Sequence, residues 1–340
     1  SQAKQTVFVA MSGGVDSAVA ALLLVHEGYR VVGIFMRPWQ PRGMACLWRR
    51  DREDAMRVAA HLGIPLRTWD FSTEYGRRVA SPMVAGYRAG MTPNPDVECN
   101  RHIKFGLFAA RAFREGADRI ATGHYARVDH GIITHAADTN KDQTYFLWAV
   151  PQRIMARTMF PLGGLTKPRV RAIARRAGLP VADKKDSQGV CFIGDLDVSA
   201  FLKRRIAARP GPIVHRDGRT LGTHDGAAFC TIGQRHGLDI GDGGGPYYVI
   251  GRDVRRNIIT VGDERDLYGR RARFRSANWF VGRPAGNARF DVQIRYRTPA
   301  VPATVRGNII EFTRPVRALT PGQSVVFYRG RRLAGGAILR

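Results

Sequence analysis

A short apolar and β-branched run, Thr6 to Met11, breaks into Ser12-Gly13-Gly14-Val15-Asp16-Ser17 and passes at once into an Ala/Leu-rich helical stretch that reaches His26. A strand that turns through two glycines into a helix continues by a right-handed crossover to a parallel neighbour. The chain supplies those neighbours. Strand-like runs at Val31 to Met36, Leu66 to Phe71 and Arg119 to Thr122 alternate with helical patterns at Asp51 to Leu62, Glu74 to Ala89 and Ile103 to Glu115. Further helical stretches are expected from Gln143 to Met155 and from Lys167 to Ala177. The alternation predicts an α/β domain with a parallel sheet covered on both faces.

Glycines at that first turn let backbone N–H groups face a bound anion, and the helix that follows adds its positive end. Ser12 and Ser17 carry hydroxyls able to donate to phosphate oxygens. Asp16 would repel phosphate unless a cation lay between them, which suggests Mg2+. The loop has neither the Gly-Lys-Ser/Thr ending of an ordinary P-loop nor the third glycine of a dinucleotide fingerprint. A structural turn is the plain alternative, but Gly-Gly followed by Asp at a strand-to-helix switch is a poor choice for mere turning. The hexapeptide resembles the signature of the pyrophosphate-loop ATPases, which adenylate a substrate oxygen and release pyrophosphate. That resemblance implies ATP and leaves the substrate open.

Charge narrows the choice. Fifty-four Lys plus Arg against twenty-eight Asp plus Glu leave a net charge of +26 and a pI near 11.1. Such an excess attracts polyanions, nucleic acid first among them. Only seven of the fifty-four are Lys, so a coding bias toward Arg explains the excess equally well. Either origin leaves a surface that attracts RNA. Every apolar run is far shorter than the roughly 20 residues of a spanning helix, and Ser1 to Gln5 lacks a secretory layout. Cys46, Cys99, Cys191 and Cys230 include no C-x-x-C pair, which argues against a zinc ribbon or a dense disulfide framework. The expectation is a cytoplasmic protein with reduced thiols.

Near residue 205 the character changes. Pro210-Gly211-Pro212 and the Gly-rich stretch up to Pro246 precede short strand-like runs at Tyr247 to Ile250 and Ile258 to Val261. From Arg265 onward sixteen Arg, no Lys and three acids accompany alternating runs at Phe290 to Arg297, Ile309 to Thr313 and Ser324 to Tyr328. Short strands separated by turn signals predict a small β-barrel. The domains expected are therefore 1–205, 206–264 and 265–340.

Two cysteines stand in unusual company. Thr92-Pro93-Asn94-Pro95-Asp96-Val97-Glu98-Cys99-Asn100 is stiffened by prolines and leads into the helix expected from Ile103. Cys99 so placed is close to a helix entrance, where the dipole favours thiolate. Cys191 lies in Lys184-Lys185-Asp186-Ser187-Gln188-Gly189-Val190-Cys191-Phe192, a basic turn suited to a reactive thiol or persulfide. Taken singly, each reads first as a buried, inert thiol. Cys46 and Cys230 have nothing nearby to activate them and read as structural.

Together these strings resemble the tRNA-specific 2-thiouridylases, which thiolate the wobble uridine. The resemblance runs through Ser12 to Ser17, Thr92 to Phe105, Ala121 to Tyr125, Asn140 to Leu147, Lys184 to Gly194, Thr231 to Leu238 and Thr320 to Tyr328. It implies a Rossmann-like sheet of the adenine nucleotide alpha hydrolase kind, a small central domain and a C-terminal barrel that grips RNA. It implies that Ala10, Met11, Ser12, Gly13, Gly14, Val15, Asp16 and Ser17, with Met36 and Gly123, hold ATP. Asn94, Pro95 and Asp96 would contact the target base, with Asp96 a candidate acid/base. His124, Lys141, Asp142, Gln143, Arg295, Tyr296 and Gln323 match positions that meet tRNA. Cys191 would receive sulfur as a persulfide from a cysteine desulfurase or relay protein, and Cys99 would resolve it, in a monomeric enzyme. Whether sulfur attacks directly or as released hydrosulfide stays open.

The departures are few. Arg37 to Arg50 is basic where relatives tend to carry acids, His135-Ala136-Ala137 replaces an Arg-Gly, and Glu98 replaces an apolar residue. A cytidine thiolase would bring C-x-x-C motifs, a lysidine-type ligase would have no use for two cysteines, and an inactive RNA-binding relic would have lost some of these residues. All are present.

Overall fold

Val7 to Ala10 are all buried, and so are residues 31–36, with no alternation along either strand. That is the pattern of strands covered on both faces. In the computed structural model, which describes residues 4–40, 48–186, 198–238, 240–241 and 243–340, these runs form β1 (Thr6–Ala10) and β2 (Arg30–Arg37). With β3 (Leu66–Asp70), β4 (Arg119–Ala121) and the short strand Thr158–Met159 they make a five-stranded sheet in the order β3, β2, β1, β4, Thr158–Met159. Every pairing in it is parallel.

The helix α1 (Val15–His26) follows the glycine loop and buries Val15, Ser17, Ala18, Val19, Ala20, Ala21, Leu22 and Leu24. So wide a buried face needs cover on both sides. The sheet supplies one, and Val170, Ala174 and Leu179, in and just after the helix Lys167–Arg176, share its core. The helix α2 (Trp48–Leu62) is amphipathic, with Ala55, Val58 and Ala59 inward. Helical turns run from Ser72 through Arg88, as anticipated, with a wider π segment at Gly76–Ala80.

The chain forms two compact units. One holds Ser1–Val79, Pro95–Asp195 and Arg331–Leu333; the other holds Ala80–Asn94, Leu196–Gly330 and Ala334–Arg340. The second unit carries two β structures, the second of them without Arg332 and Leu333. A four-stranded sheet runs in the order Tyr248–Asp253, Ile258–Gly262, Gly211–His215, Thr220–His224. Six antiparallel strands, in the order Tyr268–Trp279, Ile309–Arg317, Val301–Arg306, Ala288–Gln293, Ser324–Arg329, Arg332–Leu339, close on themselves when the first pairs with the last. Closure removes the open edge of a free sheet. The barrel interior is filled by Phe274, Phe290, Phe312 and Phe327 among smaller aliphatics. The α/β fold with a C-terminal barrel is thus the one expected.

Three local expectations are corrected. The helix expected at Ile103 begins at Pro95 and continues to Arg114, its middle (Asn100–Phe108) wound in π turns. The helix expected from Gln143 to Met155 is only a turn at Thr144–Phe146 and a short helix at Gln152–Met155. Asp142 pulls the first into a turn by accepting from the Thr144 N–H and hydroxyl, and Pro151 has no N–H to continue a helix. The run to Arg297 ends as a strand at Gln293, so Arg295 and Tyr296 stand in a turn. No helix among the described residues is long and apolar enough to cross a membrane.

Candidate functional site

The loop after β1 is tied by its own hydroxyls. Ser17 Oγ donates to the Gly14 carbonyl (3.0 Å), accepts from the Ser12 N–H (3.1 Å) and lies 3.3 Å from Ser12 Oγ. Gly13 sits at φ +77, where a Cβ would stand 2.1 Å from the Asp51 carbonyl oxygen. Gly123 presses against the start of α1 from the end of β4, and a Cβ there would be 2.8 Å from the Ser17 amide nitrogen. Ala10, Met11, Val15 and Met36 are buried. Ala10 to Ser17 thus make up the strand-to-helix turn itself, and Gly123 packs against it.

Around the loop lies an ion network that sequence reasoning missed. Lys167 Nζ reaches both oxygens of Asp16 (2.7 and 2.9 Å) and also Asp186 Oδ1 (2.8 Å). The Tyr125 hydroxyl donates to Asp16 Oδ1 (2.7 Å). Asp186 further accepts from Lys141 (2.8 Å) and Arg171 (2.8 Å). Lys184 Nζ bonds the Gly13 carbonyl (3.1 Å), Asp51 (2.7 Å) and Asp54 (2.6 Å). One signal for Lys167 was available. A lysine in the first turn of a helix opposes the dipole, so its presence after Thr166 asks for nearby carboxylates.

Burial pushes the Asp186 carboxyl up, but hydrogen bonds from Lys141 and Lys167 and their charges outweigh it and hold the group at about 2. At Asp54 burial again pushes the carboxyl up, but hydrogen bonds and charge from Lys184, then Arg57, outweigh it and hold the group below its ordinary range. Burial, then the charge of Asp16, push the Tyr125 phenol up, so it stays a donor. Because Asp186 titrates at about 2 when folded against an ordinary 3.8, its stabilisation is complete above the ordinary value and is lost as pH falls through the folded one. Asp186→Asn is expected to lower the urea midpoint at about pH 5 and to match the parent more closely near pH 2. Parallel urea titrations at the two pH values check this.

The other expected residues divide. Cys99 is fully buried and in no disulfide among the described residues, at the fifth residue of the helix from Pro95. That corrects the expectation of a thiol at the helix entrance, because the helix starts earlier and the side chain points inward. Asp96 stands in the first turn of that helix. Asn94 belongs to the second unit and Pro95 to the first. Cys191 and Cys46 lie outside the described residues. His124 is buried against Phe105 and Phe160, with Nδ1 2.6 Å from Thr122 Oγ1. Burial, helped by Lys104, keeps its pKa well below the ordinary value, so the ring is neutral. As placed, it packs rather than presents itself.

Lys141, Asp142 and Gln143 all turn to intramolecular partners. Lys141 pairs with Asp186, Asp142 accepts from the Ala136 N–H (2.6 Å), and Gln143 Oε1 accepts from the Tyr125 N–H (3.0 Å). In the second unit Arg295 Nη2 donates to the carbonyls of Ile232 and Ala318 (both 3.2 Å) and to Thr320 Oγ1 (3.1 Å). The neighbouring Arg297 guanidinium lies 5.2 Å from the Tyr296 ring centroid. The Gln323 amide nitrogen of the backbone donates to the Thr320 carbonyl (3.2 Å).

A parallel sheet whose first strand turns through paired glycines into a helix defines a nucleotide-binding α/β protein of the pyrophosphate-loop kind. Comparison with known proteins specifies it further. Residues 5–195 match the family described as tRNA methyl transferase HUP domain, residues 199–263 its PRC-barrel domain and residues 270–339 the aminomethyltransferase beta-barrel domain. The tRNA-specific 2-thiouridylase MnmA 2 of Geobacillus kaustophilus is 46% identical over 98% of this chain and 94% of its own. The tRNA-specific 2-thiouridylases MnmA of Enterococcus faecalis (44%, covering 99% and 95%) and Thermus thermophilus (43%, covering 98% and 94%) are similar over equal lengths. The chain belongs to the tRNA-specific 2-thiouridylase family. A solved U34-tRNA thiolase, NcsA from Methanococcus maripaludis, aligns at a TM-score of 0.38 and 16% identity over 60% of this chain and 67% of that one.

Proposed function

We propose that this chain is an ATP-dependent tRNA-uridine 2-sulfurtransferase acting on the wobble uridine. The observation that carries the reading is the match at 43–46% identity along nearly the whole chain to 2-thiouridylases. The phosphate cradle and Cys99, in one compact unit, are the parts such a reaction needs. The uridine 2-oxygen takes the adenylyl group of ATP and pyrophosphate leaves. Sulfur from a Cys191 persulfide then adds at C2 and AMP departs. Attack of Cys99 on the Cys191 sulfur frees the thiocarbonyl and leaves a Cys99–Cys191 disulfide for reduction; the variant with released hydrosulfide uses the same atoms in a different order.

Ala10 to Ser17, Met36 and Gly123 would hold ATP, Asn94, Pro95 and Asp96 would contact the base, and His124, Lys141, Asp142, Gln143, Arg295, Tyr296 and Gln323 would meet tRNA. Magnesium, expected beside Asp16, would share that carboxylate with Lys167 and Tyr125. A desulfurase or relay protein supplies sulfur, the enzyme works as a cytoplasmic monomer, and its functional parts divide at 1–205, 206–264 and 265–340. Methyl transfer, the reaction in the family model's description, would use neither a pyrophosphate-splitting loop nor two cysteines.

Incubation with ATP, Mg2+, a sulfide or persulfide donor and unmodified tRNA tests the reading. Mass spectrometry of the digested tRNA is expected to show 2-thiouridine and one AMP per thiolated base. Methylated uridine, or no product, would overturn it.

A further inference from the structure

The segment from Gly90 to Asn94 precedes the helix that carries Asp96 and Cys99, yet it packs with the second unit. Arg252, in the strand Tyr248–Asp253, holds one side of it. Its Nη2 donates to the Gly90 carbonyl (2.9 Å) and to Thr92 Oγ1 (2.8 Å), while Nη1 donates to the Cys230 carbonyl. Among the described residues no carboxylate pairs with this guanidinium. Burial lowers its pKa. A partly buried arginine spent wholly on neutral acceptors is costly to maintain, so its worth lies in where those acceptors are held.

The barrel holds the other side. The Thr92 N–H donates to the Pro321 carbonyl (2.8 Å). Gly322, at φ +90, comes so close that a Cβ would lie 2.6 Å from the Thr92 nitrogen and 2.7 Å from Met91 Cβ. Arg275 Nη2 reaches Met91 Sδ at 3.1 Å. Behind the segment, Gly86 packs so tightly on Pro93 that a Cβ would meet its Cγ at 2.9 Å. The backbone entering Asn94 is thus fixed by a guanidinium fork, a barrel turn and two close glycine contacts.

We infer that Arg252 is a positioning residue for sulfur transfer: by clamping Gly90 and Thr92 against the Pro321–Gly322 turn it sets where Asn94 meets the target base. This rests on the function proposed above. Only a planar fork spans three acceptors on two segments, so lysine cannot replace it. Positional errors near 1 Å at a reacting centre cost up to about 100-fold in rate.

Single-turnover thiolation, tRNA binding and amide hydrogen exchange are measured on the full chain and on Arg252→Lys, Arg252→Met and Thr92→Val. Both Arg252 variants are expected to thiolate about 10- to 100-fold more slowly while binding tRNA within about 3-fold of the parent. Thr92→Val, which removes one acceptor and leaves Arg252 in place, is expected to lose a smaller factor in the same direction. In all three the backbone amide of residue 92 should exchange faster. An Arg252→Lys variant at full rate, or a loss explained entirely by weaker tRNA binding, would overturn the inference. Unchanged exchange at residue 92 would do the same even if the parent made no 2-thiouridine, a result that would separately sink the functional reading.

Discussion

Cys99→Ala is expected to leave the protein folded and to cut 2-thiouridine formation by about 1000-fold or more, as loss of a covalent participant does. The thiol is fully buried, so alanine forfeits little more than one sulfur-sized contact, about 1 kcal/mol. Cys191→Ser is expected to be equally inactive. The two should differ in what accumulates. With Cys191 alone the persulfide can still be loaded, so Cys99→Ala should trap sulfur on the enzyme, whereas Cys191→Ser should hold none. Trypsin digestion and mass spectrometry of each variant after incubation with the donor read this directly. Full activity in Cys99→Ala would remove Cys99 from the chemistry and return it to the packing role that its burial alone suggests.

That burial has a further consequence. A thiol enclosed in the core neither attacks a sulfur nor meets an alkylating reagent until its surroundings open. Cys99 lies at the end of the short α-helical start Pro95–Cys99, where the winding changes to π turns through Phe108. Wider turns are frequent at functional sites and cost helix stability. The helix is therefore weakest where Cys99 would have to be released. In the free enzyme, alkylation of Cys99 should be slow and should rise when ATP and tRNA are added together.

Much of the first unit could be read directly from residue order. β1, the glycine loop, α1 and β2 follow from uninterrupted apolar runs and one turn, because a strand buried on both faces leaves nothing else to decide. The barrel was readable in kind, since short alternating runs close only a few ways. What escaped notice depends on contacts far apart in sequence. Lys167 is 151 residues from Asp16, and neither neighbourhood alone shows why a lysine opens that helix. The hairpin of Arg127–Asp129 and Ile132–Thr134 had a local signal in Asp129-His130-Gly131, both central residues taking positive φ, but its strands are too short to show a period. Arg295 is expected at a position that meets tRNA, yet its carbonyl acceptors Ile232 and Ala318 lie 63 and 23 residues away. Side-chain direction is decided by such partners and not by composition.

The loop itself is best tested from behind. Gly123→Ala is expected to weaken nucleotide binding by about 10- to 100-fold, because overpacking a tight contact costs about 1–3 kcal/mol. The added methyl would lie 2.8 Å from the Ser17 nitrogen and 2.9 Å from the Asp16 carbonyl carbon. Both are backbone atoms at the start of α1, so relief requires the loop to shift and its N–H groups to lose their common aim. Gly123 takes no unusual φ, so alanine brings no conformational strain of its own and the effect reports space alone. Gly164→Ala, where a Cβ meets nothing within 4 Å, serves as the matched control and should bind nucleotide normally. Titration with ATP by calorimetry checks both, with tRNA binding measured in parallel to remain near the parent value. If Gly123→Ala melted earlier but bound ATP as tightly as the control, the turn would be structural and the nucleotide would have to sit elsewhere. If binding fell with tRNA affinity intact, nucleotide binding and tRNA binding would be separable.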